Sequence, residues 1–196
     1  MWKQFKFQRL DKRVGDLQIR LATKEDAKLI SDYFNKNKQH LKPWEPTREA
    51  AFFTAEGWEK KLIKLTELHL LELGFYCIIL KQQTGEMIGT ISFSSLTRFP
   101  LHSCSVGYSL DKNAQGYGYM RQALNVTCQW MFKEQNIHRI SASYMPDNIK
   151  SAAVLKSQGF QKVGFAKDYL LINGQWQDHY LTALINPHWR DKNDKR

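Results

Sequence analysis

Two glycines separated by one residue stand directly ahead of a helical pattern in Gln115-Gly116-Tyr117-Gly118-Tyr119-Met120. At that spacing the backbone folds so that several N–H groups point the same way, and a helix N-terminus adds unpaired N–H groups and a positive dipole end. The chemistry on offer is the binding of a phosphate or diphosphate. A tight turn in which the glycines only supply positive φ angles accounts for the same letters. A second group follows at Asn148 and Ser151, an N-cap and a first-turn hydroxyl; capping alone explains both. On the segment 40–46, Trp44 and Glu45 stand between Pro43 and Pro46. An aromatic and a carboxylate there could face a cationic or peptidic ligand, or serve as a packing anchor and a solvated acid. Asp168 and Tyr169, late in the chain, carry the same two readings, cleft-facing or structural.

These groups need elements to hold them. Leu17, Ile19 and Leu21 alternate with polar residues, the period of a half-buried strand, and Thr23 with Glu25 and Asp26 reads as a helix start carried to about residue 37. The two prolines of 40–46 break any helix and hold an extended loop. Trp58, Leu62, Leu65 and Leu68 recur at helical spacing over about 54–73, with Lys and Glu on a solvated face; His69 there reads as a surface or internally satisfied histidine. Strands follow at 75–80 and 87–93, joined by a turn at Thr84-Gly85. A strand to Leu110 leads into the glycine turn and a helix ending near 134. A strand at 139–144 stops at Pro146, a short helix runs 149–157, and two strands flank the Asn173-Gly174 turn. The order predicts an α/β fold, a mixed sheet with helices on both faces, in a single domain over 1–196. Its ordered core covers about 10–189, with a polar tail at 190–196.

Twenty-nine basic against nineteen acidic residues give a net charge of +10, which favours polyanionic partners. The basic residues are scattered, so sequence-specific DNA binding is not expected. The first seven residues lack the apolar run of a leader, and no segment is long enough to span a bilayer, so a cytoplasmic location without membrane contact is expected. Cys77, Cys104 and Cys128 are odd in number and lack Cys-x-x-Cys spacing, the pattern of buried reduced thiols with no metal.

The 115–120 segment resembles the acyl-CoA diphosphate loop of the GCN5-related N-acetyltransferases: Gln or Arg, two residues, Gly, one residue, then Gly or Ala. Gln115 and Gly118 match; Met120 departs from the small final residue, as in the branch that acetylates N-termini of ribosomal proteins. Asn148, Ser151, Leu155 and Gly159-Phe160 are similar to that branch's second signature, and the segments 40–46, 138–146 and 164–184 extend the likeness from about residue 17 to 189. The resemblance implies the GNAT fold, with a central, mostly antiparallel mixed sheet. It implies acetyl-CoA as cosubstrate and no metal. Contacts to the cosubstrate would come from Val106, Gly107, Tyr108, the six residues Gln115, Gly116, Tyr117, Gly118, Tyr119 and Met120, and from Asn148 and Ser151. A backbone N–H near Gly107 or Tyr108 would polarise the thioester carbonyl, and Ser151 would protonate the leaving sulfur, with Tyr169 as the alternative acid. Tyr108 would line the acceptor channel, and the base is Asp168, Glu45 or a relayed water. Trp44, Glu45, Asp168 and Tyr169 would meet the acceptor, implied to be the N-terminal alanine of a ribosomal protein, the fifth of the small subunit, free or on the assembling subunit. The competing readings are an acetyltransferase for a small amine, such as an antibiotic or polyamine, and a non-catalytic ribosome- or RNA-associated protein.

Overall fold

The computed structural model describes residues 10–190; the expectations for the first seven residues and for the tail past Arg190 fall outside that range. Alternation works as expected in β2 (Leu17–Leu21), where Leu17 and Ile19 are fully buried. β2 pairs antiparallel with β3 (Phe75–Lys81) on one side and with β1 (Asp11–Val14) on the other. β1 is a strand that hydrophobic pattern does not announce. Three of its four residues are charged, and it is held by ladder bonds and by the tight turn at Gly15, φ +54°.

The chain then turns at Lys24–Asp26 into α1 (Ala27–Leu41). Thr23 donates its N–H to the Asp26 carboxylate at 2.8 Å, and Arg20 grips both carboxylate oxygens at 2.6 and 2.7 Å. Desolvation works against the charge on Asp26, yet these donors outweigh it and hold the carboxyl below its ordinary pKa. α1 outlasts its predicted end and passes straight into a 3-10 turn at Lys42–Trp44. The expected extended loop therefore begins only at Glu45, because Pro43 sits at the start of the new turn, where its missing N–H costs nothing. Thr54 caps α2 (Ala55–Leu70) by accepting from the Gly57 amide at 3.1 Å.

β4 (Met87–Thr97) and β5 (Ser103–Leu110) complete the antiparallel half of the sheet. α3 (Tyr119–Lys133), β6 (Arg139–Tyr144), α4 (Ile149–Ser157), β7 (Gln161–Ile172) and β8 (Gln175–Ile185) follow. The eight strands lie in the order β1-β2-β3-β4-β5-β6-β8-β7. Burial on both faces explains why the first six residues of β3 are all buried. On one face α1 and α2 bury Ile30, Tyr33, Phe34, Trp58 and Leu62 against Tyr76, Ile78 and Leu80, with Phe34 and Trp58 stacked at 5.4 Å. On the other, Ala123, Leu124, Cys128, Met131 and Leu155 of α3 and α4 cover Ile19, Ile79, Ile91, Val106 and Ile140. His69 is buried and satisfied: its Nε2 accepts from the Tyr76 amide at 2.9 Å, and burial pushes its pKa down to about 4. The mixed, mostly antiparallel sheet with helices on both faces is the fold class expected above.

Among the described residues β5 and β6 are the only parallel neighbours in the sheet, and their ladder covers just 103–105 against 139–141. Past that point no bridge joins 106–110 to 142–144. The strands diverge, and edge backbone on both sides of the gap is left without a strand partner.

Candidate active site

The glycine turn stands at the wide end of this gap. β5 ends at Leu110, a 3-10 turn covers Lys112–Ala114, and Gly118 caps α3 in the left-handed region at φ +75°, with Gly116 at +88°. No amide from Gln115 to Met120 donates to a carbonyl or side chain among the described residues; the first amide beyond them that does is Gln122, to Gly118 O at 3.1 Å. A Cβ added at Gly116 or Gly118 would meet nothing within 4 Å. A row of unclaimed N–H groups at the positive end of a fifteen-residue helix, facing open space, is a seat for an anion. Tyr117 is 67 % exposed and stacks on Tyr119 at 5.5 Å, while Met120 turns inward and is buried in the core.

Side chains from both faces of the sheet converge on this turn. Gln115 donates to His40 Nε2 on α1 at 2.9 Å and accepts from Lys150 Nζ on α4 at 2.5 Å. Burial, joined by the charges of Lys150 and Lys112, pushes His40 below its ordinary pKa and keeps it neutral, able to accept. Asp111 anchors the turn from below. Its carboxylate accepts from Asn37 at 3.0 Å, Lys36 at 2.9 Å and the Asn113 amide at 2.8 Å. Desolvation penalises the Asp111 charge, but these donors hold its carboxyl below the ordinary value. Its contribution to stability is therefore complete above the usual carboxylate pKa and is lost only as pH falls through the lower folded value. Asp111→Ala should cost about 2–3 kcal/mol, since it leaves Asn37 and the turn amide without their acceptor. The midpoint of urea unfolding at pH 7 checks the loss, which should shrink at pH values low enough to protonate Asp111 in the parent.

Farther down the gap, Tyr108 of β5 reaches α4: its hydroxyl meets Ser151 Oγ at 2.9 Å and the Ser151 carbonyl at 3.3 Å. Asn148 Oδ1 accepts from the Ser151 amide at 3.0 Å, so Asn148 does cap α4 and Ser151 is fixed in its first turn. Burial pushes the Tyr108 phenol up to about 12 despite the Ser151 bond, so the pair stays protonated around neutrality. Gly107 is exposed on the other face of the strand, and Val106 is buried in the core. The three cysteines are unpaired and buried, and burial pushes the Cys104 thiol up to about 12, a poor nucleophile.

Residues 16–161 match the family described as Acetyltransferase (GNAT) domain. The chain belongs to the GNAT acetyltransferase family. It is 43% identical to the ribosomal protein uS5-alanine N-acetyltransferase of Escherichia coli strain K12, over 88% of this chain and 89% of that protein. The crystal structure of the ribosomal-protein-S5-alanine acetyltransferase from Vibrio fischeri superposes with a TM-score of 0.91 at 51% identity, covering 93% of this chain and all (100%) of that one. Mycobacterium smegmatis RimJ in complex with CoA-disulfide gives a TM-score of 0.83 at 27% identity, over 90% of this chain and 86% of that one.

Within this GNAT fold the remaining predicted positions separate. Glu45 is largely buried and pairs with Arg48 at 3.6 Å, on the wall of a cavity of about 380 Å³ between α1, the loop after it and Asn173 at the β7–β8 turn. Trp44 is 36 % exposed beside it. Asp168 and Tyr169 lie on a bulged, exposed stretch of β7, and no hydrogen bond among the described residues joins them to Tyr108 or Ser151. Asp168 has φ +49° and donates its N–H to Asp178 at 2.8 Å; Tyr169 packs on His179 at 5.6 Å. Sequence reasoning missed His40 and Lys150. Lys150 did leave a signal, because a cation in the first turn of a helix opposes the dipole unless an anion or acceptor repays it.

Proposed function

We propose that this GNAT enzyme transfers the acetyl group of acetyl-CoA to the N-terminal alanine of a ribosomal protein, with uS5 as acceptor. The observation that carries the reading is the gap between β5 and β6, with unclaimed loop amides at its wide end and a Tyr108–Ser151 hydroxyl pair along its wall. The choice of acceptor is supported by likeness over nearly the whole chain to two uS5-alanine acetyltransferases.

The residues present fit a diphosphate carrier, since free N–H groups, two open glycines and the cations Lys112 and Lys150 surround one spot. The amides of Gln115, Gly116, Tyr117, Gly118, Tyr119 and Met120 would hold the diphosphate, Met120 through its backbone alone. The Asn148 amide group, left over from capping, would hold the carrier's arm. When bound, acetyl-CoA supplies an activated acyl group on a good leaving sulfur. A backbone N–H at Gly107 or Tyr108 polarises the carbonyl. Ser151 delivers a proton to the leaving sulfur, and Tyr108 replenishes it. Trp44 and Glu45 border the acceptor, whereas the exposed β7 bulge gives Asp168 and Tyr169 at most a peripheral part in acceptor binding. The largest share of the acceleration is orientation of the amine, which can supply roughly 7–11 kcal/mol.

No helix among the described residues is long and apolar enough to cross a membrane. A ribosomal acceptor makes the cytoplasm the place of reaction, on the free protein or on the assembling small subunit. The test is intact-mass analysis of small-subunit ribosomal proteins incubated with enzyme and acetyl-CoA. One acetyl group on uS5 is expected; acetylation of polyamines or aminoglycosides with no ribosomal protein modified would overturn the assignment.

A further inference from the structure

The cavity of about 380 Å³ that Glu45 lines carries an unbalanced charge. Lys38, Lys42 and Arg48 stand on its wall against the single carboxylate of Glu45, an excess of two positive charges. Arg48 meets Glu45 only at 3.6 Å, beyond hydrogen-bond range, and among the described residues none of the three cations has a closer polar partner. Aromatic rings hold two of them in place instead. Lys38 Nζ lies 4.4 Å from the centre of the Phe53 ring, and the Arg48 guanidinium lies 4.7 Å from that of Phe52. The segment bearing these rings is itself tied down: the Phe52 carbonyl accepts from the Trp58 indole at 2.8 Å, and the Phe53 carbonyl accepts from Asn35 at 2.7 Å. Lys61 shares the Phe52 ring at 4.8 Å, and burial, then the Arg48 charge, push its pKa down to about 8.

α1 sets this cavity beside the transfer site. Phe34, Gln39 and Leu41 line it, while the adjoining Tyr33 and His40 meet Ser109 of β5 and Gln115 of the glycine turn, each at 2.9 Å. Asn173 brings the β7–β8 turn to the same cavity. An extended peptide advances about 3.3 Å per residue, so residues two to four of an acceptor lie roughly 3–10 Å from its first, the scale of one to two helix turns. A chain whose α-amine enters the gap can therefore set its next residues in the cavity.

We propose that the cavity reads an acidic side chain at position two, three or four of the acceptor, with Lys38 and Arg48 as its specificity-determining residues. This rests on the α-amine transfer reading above. The incoming carboxylate accepts from the Arg48 fork and the Lys38 ammonium and neutralises the excess charge. Phe34, Leu41, Phe52 and Phe53 receive the apolar stem of the same side chain. An amide of the same shape leaves the cations unbalanced. A lysine in its place meets three like charges and is rejected, so the cavity selects by repulsion as well as by attraction.

The experiment measures kcat and KM for alanine-starting peptides that differ only in carrying Glu, Gln or Lys at position two, three or four. The parent is compared with Lys38→Gln, Arg48→Gln and Arg48→Glu, and Tm and coenzyme A affinity are recorded for each. At one of the three positions the parent should favour Glu over Gln by about tenfold, the low end of what a hydrogen bond to a charged group returns, with the difference in KM and not in kcat. Lys should be the poorest of the three. The Glu-to-Gln ratio should fall toward one in Lys38→Gln and Arg48→Gln, and Arg48→Glu should reverse the order and favour Lys. Both side chains are exposed and make no hydrogen bond among the described residues, so Tm and coenzyme A affinity should stay at parent values. Equal kcat/KM for Glu and Gln at all three positions, or a preference that survives every variant, overturns the assignment and leaves the acetyl-transfer reading intact. A parent enzyme that transfers nothing to any of the peptides sinks both.

Discussion

Gly118→Trp should lose coenzyme A binding, with affinity by calorimetry falling by more than about 100-fold, equivalent to about 2.8 kcal/mol of binding energy. Gly118 sits at the α3 N-cap with φ +75°, and a Cβ there points into space with no atom within 4 Å. That emptiness is why the fold should survive: the indole displaces no packed neighbour. The cost to stability is the left-handed backbone, about 1–2 kcal/mol for a residue with a Cβ, or roughly 2–8 °C of Tm in a chain of this size. Gly118→Ala carries the same backbone strain without the bulk, so it should share the Tm loss and keep most of the affinity. The pair separates a blocked seat from a damaged one. Undiminished affinity in the tryptophan variant would show that the loop amides bind no diphosphate.

Ser151→Ala should lower kcat by about 100-fold, the usual scale for a positioned proton donor, while coenzyme A affinity changes by less than about threefold. The substitution spares the cap, because Asn148 binds the backbone amide of Ser151 and not its hydroxyl. What disappears is the oxygen that meets Tyr108 at 2.9 Å. If the two hydroxyls act as one unit, Tyr108→Phe added to Ser151→Ala should cost little more than Ser151→Ala alone. Because burial pushes the Tyr108 phenol up to about 12, its titration should leave no mark on the rate between pH 6 and 9. Full turnover by Ser151→Ala in single-turnover kinetics would reduce Ser151 to a helix residue.

How much of this was legible beforehand depends on the range of the interactions. The β5–turn–α3 unit, the Asn148 cap and the Asn173-Gly174 turn are local patterns, and each is present where the residues announce it. The order of helices and strands along the chain was legible for the same reason, apart from charged β1, whereas the GNAT fold was legible through the resemblance carried by the two signatures. The extended loop expected over 40–46 was misjudged at its start, because Pro43 supports a 3-10 turn as readily as it ends a helix. Ties across the sheet were out of reach: Gln115 meets His40 75 positions earlier and Lys150 35 positions later. The buried hydroxyl of Ser109, which meets both Tyr33 and Thr90 at 2.9 Å, is a similar case, since Thr90 and Ser109 look like ordinary polar interruptions in strands until β4 and β5 align them. β7 is a strand as expected, but its register slips between Ala166 and Leu170. A slip of this kind changes which face a side chain takes, so no reading of alternation could decide the direction of Asp168 or Tyr169.

The short parallel contact between β5 and β6 has a consequence for what mutation can change independently. Only a few backbone rungs lace the two halves of the sheet together, and where the lacing stops, Tyr108 and Ser151 span the opening as a clasp. The same two oxygens would then fasten the molecule and deliver protons. A variant selected to tighten that seam would alter the chemistry with it, so gains in robustness must come from elsewhere, such as the helix-covered cores on either side.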